Sequence, residues 1–324
     1  MITSLLEQPV SQPSVASSFT WEEIPCSQCG SRHYRVQFEA SDPCSETHRQ
    51  VFPVVRCDDC GLLFTNPRPA PESMGAFYSE NYQPHRRGSK LRRPLRKWYP
   101  LARLNGRAME RKSLPHHGKG RLLDFGCGGG SFLERMAEQG WEVTGLDTSM
   151  SVVERIRSQL KLSAVSGTLP HPELKPETFD VVTMWHSLEH VHDPLAVLRE
   201  AYRLLVPGGR LLVATPNIES WPHRWFGTNW FGLDLPRHLT HFTPTTLRRM
   251  IETAGFECGL PRMIRHADWL RSSARLAMRR GDARWTTRLL TRKPIARLAA
   301  WGCFVAGQSD CMFADAARPL TSAS

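Results

Sequence analysis

Residues Leu122-Leu123-Asp124-Phe125 run apolar into an acid, and Gly126-Cys127-Gly128-Gly129-Gly130 follow at once. A second apolar segment ends downstream at Gly145-Leu146-Asp147. Strands disfavour glycine, so the first stretch reads as a parallel strand passing into a glycine-rich turn and then a helix from about Ser131. Glycine lets the backbone approach a ligand where a Cβ would collide. The helix start presents free backbone N–H groups to the same place. Asp147 stands where such folds set an acid against a ribose hydroxyl. Together these features predict a nucleoside pocket.

The rest of the pattern predicts a parallel sheet covered on both faces. Strands are expected at 121–125, 142–147, 163–167, 179–185 and 209–214, and helices at 131–139, 149–160, 194–205 and 244–254. Val206-Pro207-Gly208-Gly209 is a helix stop. A further strand is expected in 256–265 and a final one at 310–316, with basic helices over 268–300 between them. The domains read as a disordered leader (1–20), a cysteine module (21–70), a basic helical linker (71–119), a core (120–265), a basic helical insert (266–306), the core's last strand (307–318) and a tail (319–324).

Cys26-Ser27-Gln28-Cys29-Gly30 and Cys57-Asp58-Asp59-Cys60-Gly61 are paired C-x-x-C-G knuckles. Four thiolates at this spacing fill a closed tetrahedral Zn²⁺ site with no open position, so Cys26, Cys29, Cys57 and Cys60 are expected to be structural ligands. Cys44 and His48 match no knuckle spacing, and Cys127, Cys258, Cys303 and Cys311 read as small buried hydrophobes. Nine cysteines without an N-terminal basic and apolar leader suggest a reducing, cytoplasmic setting. No apolar run is long enough to span a bilayer.

The net charge of +11 is concentrated in two segments. Residues 86–121 hold thirteen Lys and Arg against one acid, and residues 262–297 hold eleven against two. Arg103, Arg107 and Arg111 would share a helix face in the first segment, and Arg271, Arg275 and Arg279 another in the second. Such runs are solvated faces or sites for an anionic partner: a phosphorylated substrate, a membrane surface or RNA.

The glycine turn alone would also suit a dinucleotide site. Asp124 inside the strand end, Phe179-Asp180-Val181-Val182 leading into Leu188-Glu189-His190-Val191-His192-Asp193-Pro194, and the Leu204-Leu205-Val206-Pro207-Gly208-Gly209 stop shift the balance. With these the sequence resembles the class I, S-adenosylmethionine-dependent methyltransferases over about Arg121 to Phe256. The resemblance implies a seven-stranded Rossmann-like sheet, mostly parallel with the last strand reversed. It implies that Asp124, Gly126, Cys127 and Gly128 cradle the cofactor, with His186 at its edge. Asp147 would hold the ribose, and Thr148 and Thr168 would border the adenine. Thr168 departs from the acid that many members carry there. The knuckles, with Gly61-Leu62-Leu63-Phe64-Thr65-Asn66-Pro67-Arg68-Pro69 and Phe77-Tyr78, resemble methyltransferases bearing an N-terminal zinc-ribbon-like module, several of which act on sugars or glycan precursors. The Leu-Glu-His-Val segment is also similar to the O-methyltransferases of ubiquinone biosynthesis.

A general base is required only if the acceptor must lose a proton. His186, Glu189 and His190 follow the fourth strand; Arg237, His238 and His241 lie in the connection after Thr215-Pro216-Asn217. His186, His190, His238 and His241 are thus the candidate catalytic residues, and a divalent ion at the first group is a further possibility by analogy with the ubiquinone enzymes. Trp221, Trp225, Phe226, Trp230 and Phe231 suit a lid over an organic acceptor. His186-x-x-Glu189-His190 mimics a zinc-protease motif, but it follows a strand and precedes a proline-initiated helix, which excludes that reading. The leading expectation is methylation of a small molecule: a sugar, a glycan precursor or a lipid-linked, anionic metabolite. An RNA methyltransferase and a non-catalytic cofactor-binding protein are the alternatives.

Overall fold

The computed structural model describes residues 19–42, 50–78, 120–282 and 284–320. Residues 1–18 of the expected leader, Cys44, His48, and the expected basic linker from residue 79 with its Arg103/Arg107/Arg111 face lie outside them.

The central sheet begins with β6 (Arg121–Phe125), numbering strands from the N-terminus; β7 (Glu142–Asp147), β8 (Ser163–Ser166), β9 (Phe179–Trp185) and β10 (Leu205–Pro216) follow it in parallel. β14 (Cys311–Ala317) runs antiparallel to β10. β12 (Glu257–Cys258) and β13 (Arg262–Ile264) both pair with β14, so the strand expected in 256–265 is split in two. The order β12-β14-β10-β9-β6-β7-β8 is the expected mostly parallel sheet with its last strand reversed.

Successive residues of these strands enter opposite cores, as the period of two requires. Leu123, Val182 and Leu211 face α4 (Pro194–Leu204) and α6 (Pro244–Thr253). Leu122, Val181 and Leu212 face α2 (Ser131–Glu138) and α3 (Met150–Arg155). Truncating one such fully buried leucine to alanine would cost about 2–5 kcal/mol. Sequence also sets the helix starts. Asp193 accepts from the Ala196 amide at 2.9 Å and Pro194 opens α4. Thr243 and Thr246 form a reciprocal capping box on α6.

The N-terminal module comprises β1 (Trp21–Glu22), β2 (Tyr34–Ser41), β3 (Val51–Cys57), β4 (Leu63–Thr65), β5 (Arg68–Pro69) and α1 (Pro71–Met74). Its main sheet is completed by β11 (Thr240–His241), which comes from the connection after β10 and pairs with β4. The module is therefore built into the core rather than appended to it.

That arrangement takes two of the five aromatics out of the expected lid. Trp230 and Phe226 are buried with Phe52 and Val54 of the module and with Leu270, Ala274, Ala296 and Ala300 of the insert. Only Trp221, Trp225 and Phe231 of the five aromatics are exposed. The insert forms α7 (Ala267–Arg279), α8 (Trp285–Leu290) and α9 (Lys293–Val305), and α5 (Trp221–Phe226) lies beside it. A third hydrophobic core thus joins module, connection and insert.

Candidate active site

Neighbouring side chains leave no room for a Cβ at Gly126 or Gly130 of the glycine turn. Gly126 adopts φ +70°, and a Cβ there would stand 2.6 Å from the Ser187 Cβ. Ser187 Oγ donates to the Phe125 carbonyl at 2.9 Å, fixing the loop after β9 against the turn. Gly128, at φ +50°, donates its N–H to Asp147 Oδ2 at 2.9 Å, and the Ser149 amide donates to Oδ1 at 2.9 Å. An ionised carboxylate offers about four lone-pair sites, so about two remain for a ligand's vicinal hydroxyls. This arrangement fits the ribose hydroxyls of S-adenosylmethionine.

Asp124 is buried on the sheet's α2 side, accepting from Thr183 Oγ1 at 2.7 Å across β6 and β9. Cys127 packs its thiol into the core, where a Cβ on Gly145 would lie 2.8 Å from the sulfur. Only the backbone of Cys127 can therefore serve a cofactor. Thr148 and Thr168 are exposed beyond the β7 and β8 ends, and Gly167, next to Thr168, donates its amide to the Asp147 carbonyl.

His186 follows β9 in the left-handed region at φ +54°, uncommon for a residue with a side chain and often found at functional sites. Its Nδ1 lies 3.4 Å from Glu189 Oε1, an ion-pair approach rather than a well-formed hydrogen bond. Glu189 is fully buried, and among the described residues neither carboxylate oxygen has a hydrogen-bond partner. Burial works to raise its pKa, but the close approach of His186 Nδ1 and the charges of His186, His238 and His190 hold it down at about 2. On its other side the His186 ring meets Trp269 (centroids 5.1 Å) and His266 (5.9 Å), with Cys311 Sγ 3.8 Å from Nε2. Phe231 packs edge-on against Trp269. Trp269 and His266 were missed by sequence reasoning, because they begin a helix whose only local signal is its arginine periodicity.

The other three histidines sit deeper. The His190 Nδ1 lies 3.0 Å from the Arg237 carbonyl and 3.2 Å from the Tyr78 hydroxyl. Burial, then the nearby charge of His238, lowers its pKa to about 4. His238 donates from Nδ1 to the Gly232 carbonyl at 2.9 Å. Thr65 Oγ1 donates to the His238 carbonyl, so it accepts from His241 Nε2 at 3.1 Å. Burial holds His241 well below its ordinary pKa. His238 and His241 therefore tie the connection to β4 and to itself, which corrects their expected place beside the acceptor. Glu189, His190 and His238 bring donor atoms within 4.8 Å of one another, as do His186, His266 and Cys311.

In the module the four knuckle sulfurs converge, with Cys26–Cys60 at 3.5 Å and Cys29–Cys57 at 3.6 Å. Zn–S bonds of about 2.3 Å in a tetrahedron would set sulfurs about 3.8 Å apart, so the set fits Zn²⁺. Gly30 and Gly61 close the knuckle turns at φ +75° and +78°, donating to the Cys26 and Cys57 carbonyls. Burial pushes the Cys60 thiol up to about 11 and the Cys26 thiol higher still, a cost that a bound dication would reverse.

Comparisons with known proteins agree with this geometry. A family model described as a methyltransferase domain matches residues 90–259. The ubiquinone biosynthesis O-methyltransferase of Vibrio cholerae is 41% identical over 130 residues, covering 38% of this chain and 49% of the relative. That of Aliivibrio fischeri is 34% identical over 176 residues, covering 51% and 71%. The chain thus spans about half the length of the first curated relatives it matches. An S-adenosylmethionine-dependent methyltransferase structure from Mesorhizobium loti aligns at TM-score 0.45 and 22% identity, covering 66% of this chain and 95% of that one. These relatives are ubiquinone-biosynthesis enzymes, not the sugar- or glycan-associated ones that the knuckle module suggested. With its donor cradle, its reversed last strand and a family match over more than half its length, the chain belongs to the class I methyltransferase-domain family.

Proposed function

We propose that the chain is an S-adenosylmethionine-dependent methyltransferase acting on a hydroxyl group of a small organic acceptor, with His186 as general base and Glu189 as its positioning residue. When bound, the cofactor supplies a methyl group on a sulfonium whose sulfur leaves neutral, so no acid is needed. The observation that carries the reading is the buried Glu189 carboxylate 3.4 Å behind His186 Nδ1. It favours the tautomer with the proton on Nδ1 and stabilises the imidazolium that forms when Nε2 takes the hydroxyl proton. Gly128 and Ser149 orient Asp147 for the ribose. Trp269 and Phe231 offer aromatic surface beside His186, which suits an aromatic or lipid-linked acceptor better than a bare sugar. The names of the relatives favour a hydroxylated ubiquinone precursor as the first acceptor to assay. Positioning supplies much of the remaining rate.

The test is methyl transfer from labelled S-adenosylmethionine to such precursors. His186→Ala is expected to lower kcat by about 10²–10⁴-fold with donor affinity little changed. Glu189→Gln is expected to lower kcat and to shift the acid side of the pH–rate profile, where the base is protonated, to lower pH. A His186→Ala enzyme within threefold of wild type would end this assignment. The same reading takes Cys26, Cys29, Cys57 and Cys60 as a structural Zn²⁺ site, supported by the sulfur geometry.

A further inference from the structure

We infer that the outer face of the helical insert is a docking surface for an anionic lipid bilayer. Helix α9 has two faces. Ala296, Ala300 and Cys303 pack inward. Pro294, Leu298, Trp301 and Val305, at helical spacing, point outward with no covering element among the described residues; Leu298 is 69% exposed, Trp301 50% and Val305 65%. The surface continues through neighbouring backbone. The Trp221 amide donates to the Gln308 carbonyl just past α9, and Arg284 donates to the Trp225 carbonyl. Exposed Trp221 and Trp225 on α5 and Trp285 on α8, 72% exposed, are thereby brought beside it.

Charge selects the occupant. From Arg284 to Gln308 the chain has five cations and no acid. Arg284 is paired with Asp282, whereas Arg288, Arg292, Lys293 and Arg297 are exposed and have no carboxylate partner among the described residues. Two copies meeting through this face would bring those cations together, which opposes self-association. Tryptophan and aliphatic side chains flanked by arginine match the headgroup boundary of an anionic membrane, the aromatic rings at the interface and the cations on phosphates. No helix among the described residues is long and apolar enough to cross a membrane, so the contact is peripheral.

The same insert reaches the acceptor side of the site. Helix α7 carries Trp269 against His186 while its alanines pack on α9. Docking would therefore set the proposed acceptor entrance near the lipid surface. This deepens the reading above, since only that last step rests on His186 marking the acceptor.

The experiment is flotation of the full chain with phosphatidylcholine vesicles, with or without one quarter phosphatidylglycerol, in the absence of donor and acceptor. Binding is expected only to the anionic vesicles and should fall with salt. Arg292→Gln with Arg297→Gln should weaken it about fivefold per cation removed. Leu298→Glu with Trp301→Glu should abolish it while thermal unfolding stays unchanged, because neither side chain is buried. Asp147→Ala should float like wild type, which separates this inference from the methyltransferase assignment. Absence of flotation, equal flotation on neutral vesicles, or a dimer in sedimentation that Trp301→Glu dissolves would each overturn it. So would single-stranded RNA binding abolished by the same variants.

Discussion

Arg237 grips Asp42 with two guanidinium nitrogens at 2.8 and 3.1 Å, joining the connection after β10 to the end of β2 in the N-terminal module. Arg237 also pairs with Asp234 at 2.7 Å and donates to the Phe77 carbonyl. Burial alone would lower its pKa, but the two carboxylates raise it above the ordinary value. The module is thereby clamped onto the connection after β10, and His190 Nδ1, from the loop after β9, meets the Arg237 carbonyl.

Asp42→Ala leaves a buried guanidinium with one carboxylate instead of two. A loss of about 3 kcal/mol is expected, the low end for breaking a buried pair, because Asp234 remains. Denaturant unfolding measures it. A change below about 0.5 kcal/mol would mean that water replaces Asp42 at no cost and that the clamp is not structural.

Zinc removal should be felt beyond the module, because β4 pairs with β11 and Thr65 holds both His238 and His241. Elemental analysis of the purified chain is expected to give one zinc per molecule. Cys26→Ser with Cys29→Ser should lose it and lower the unfolding temperature of the whole core. Zinc-free wild-type protein with an unchanged melting curve in the double variant would refute the site.

Acid should destabilise the fold through its buried histidines. His190 is held at about 4 and His241 well below the ordinary value, in both cases mainly by burial. An unfolded histidine titrates near 6.5, so between about pH 6.5 and 4 the unfolded chain binds more protons and stability falls as pH drops. Each such histidine contributes up to about 1.4 kcal/mol per pH unit. Stability of His241→Asn should fall less steeply over this window than that of wild type. Equal slopes in the two proteins would show that His241 takes up its proton alike in the folded and unfolded chain.

The glycine turn and the acids at the two strand ends were legible in the sequence because their signals are local. Asp124, Gly126 and Asp147 stand where β6 and β7 end and the backbone turns. The cysteine knuckles are local in the same way. The seam was not legible. β11 is only two residues long, and its partner β4 lies far back in the chain, so no periodicity announces the pairing. For the same reason Trp230 and Trp225 look alike in sequence, yet one fills the third core and the other faces solvent. His241 followed Trp230 inward because β11 turns its side chain to Thr65.

Asp147 is proposed to accept the ribose hydroxyls of the methyl donor, with the Gly128 and Ser149 amides orienting its carboxylate. Titration calorimetry of S-adenosylmethionine into wild type and Asp147→Ala tests it directly. Loss of hydrogen bonds to a charged group is worth about 1.5–3 kcal/mol, so the variant should bind about 10- to 150-fold more weakly. Equal affinity in the two proteins, or no binding to wild type, would contradict the account.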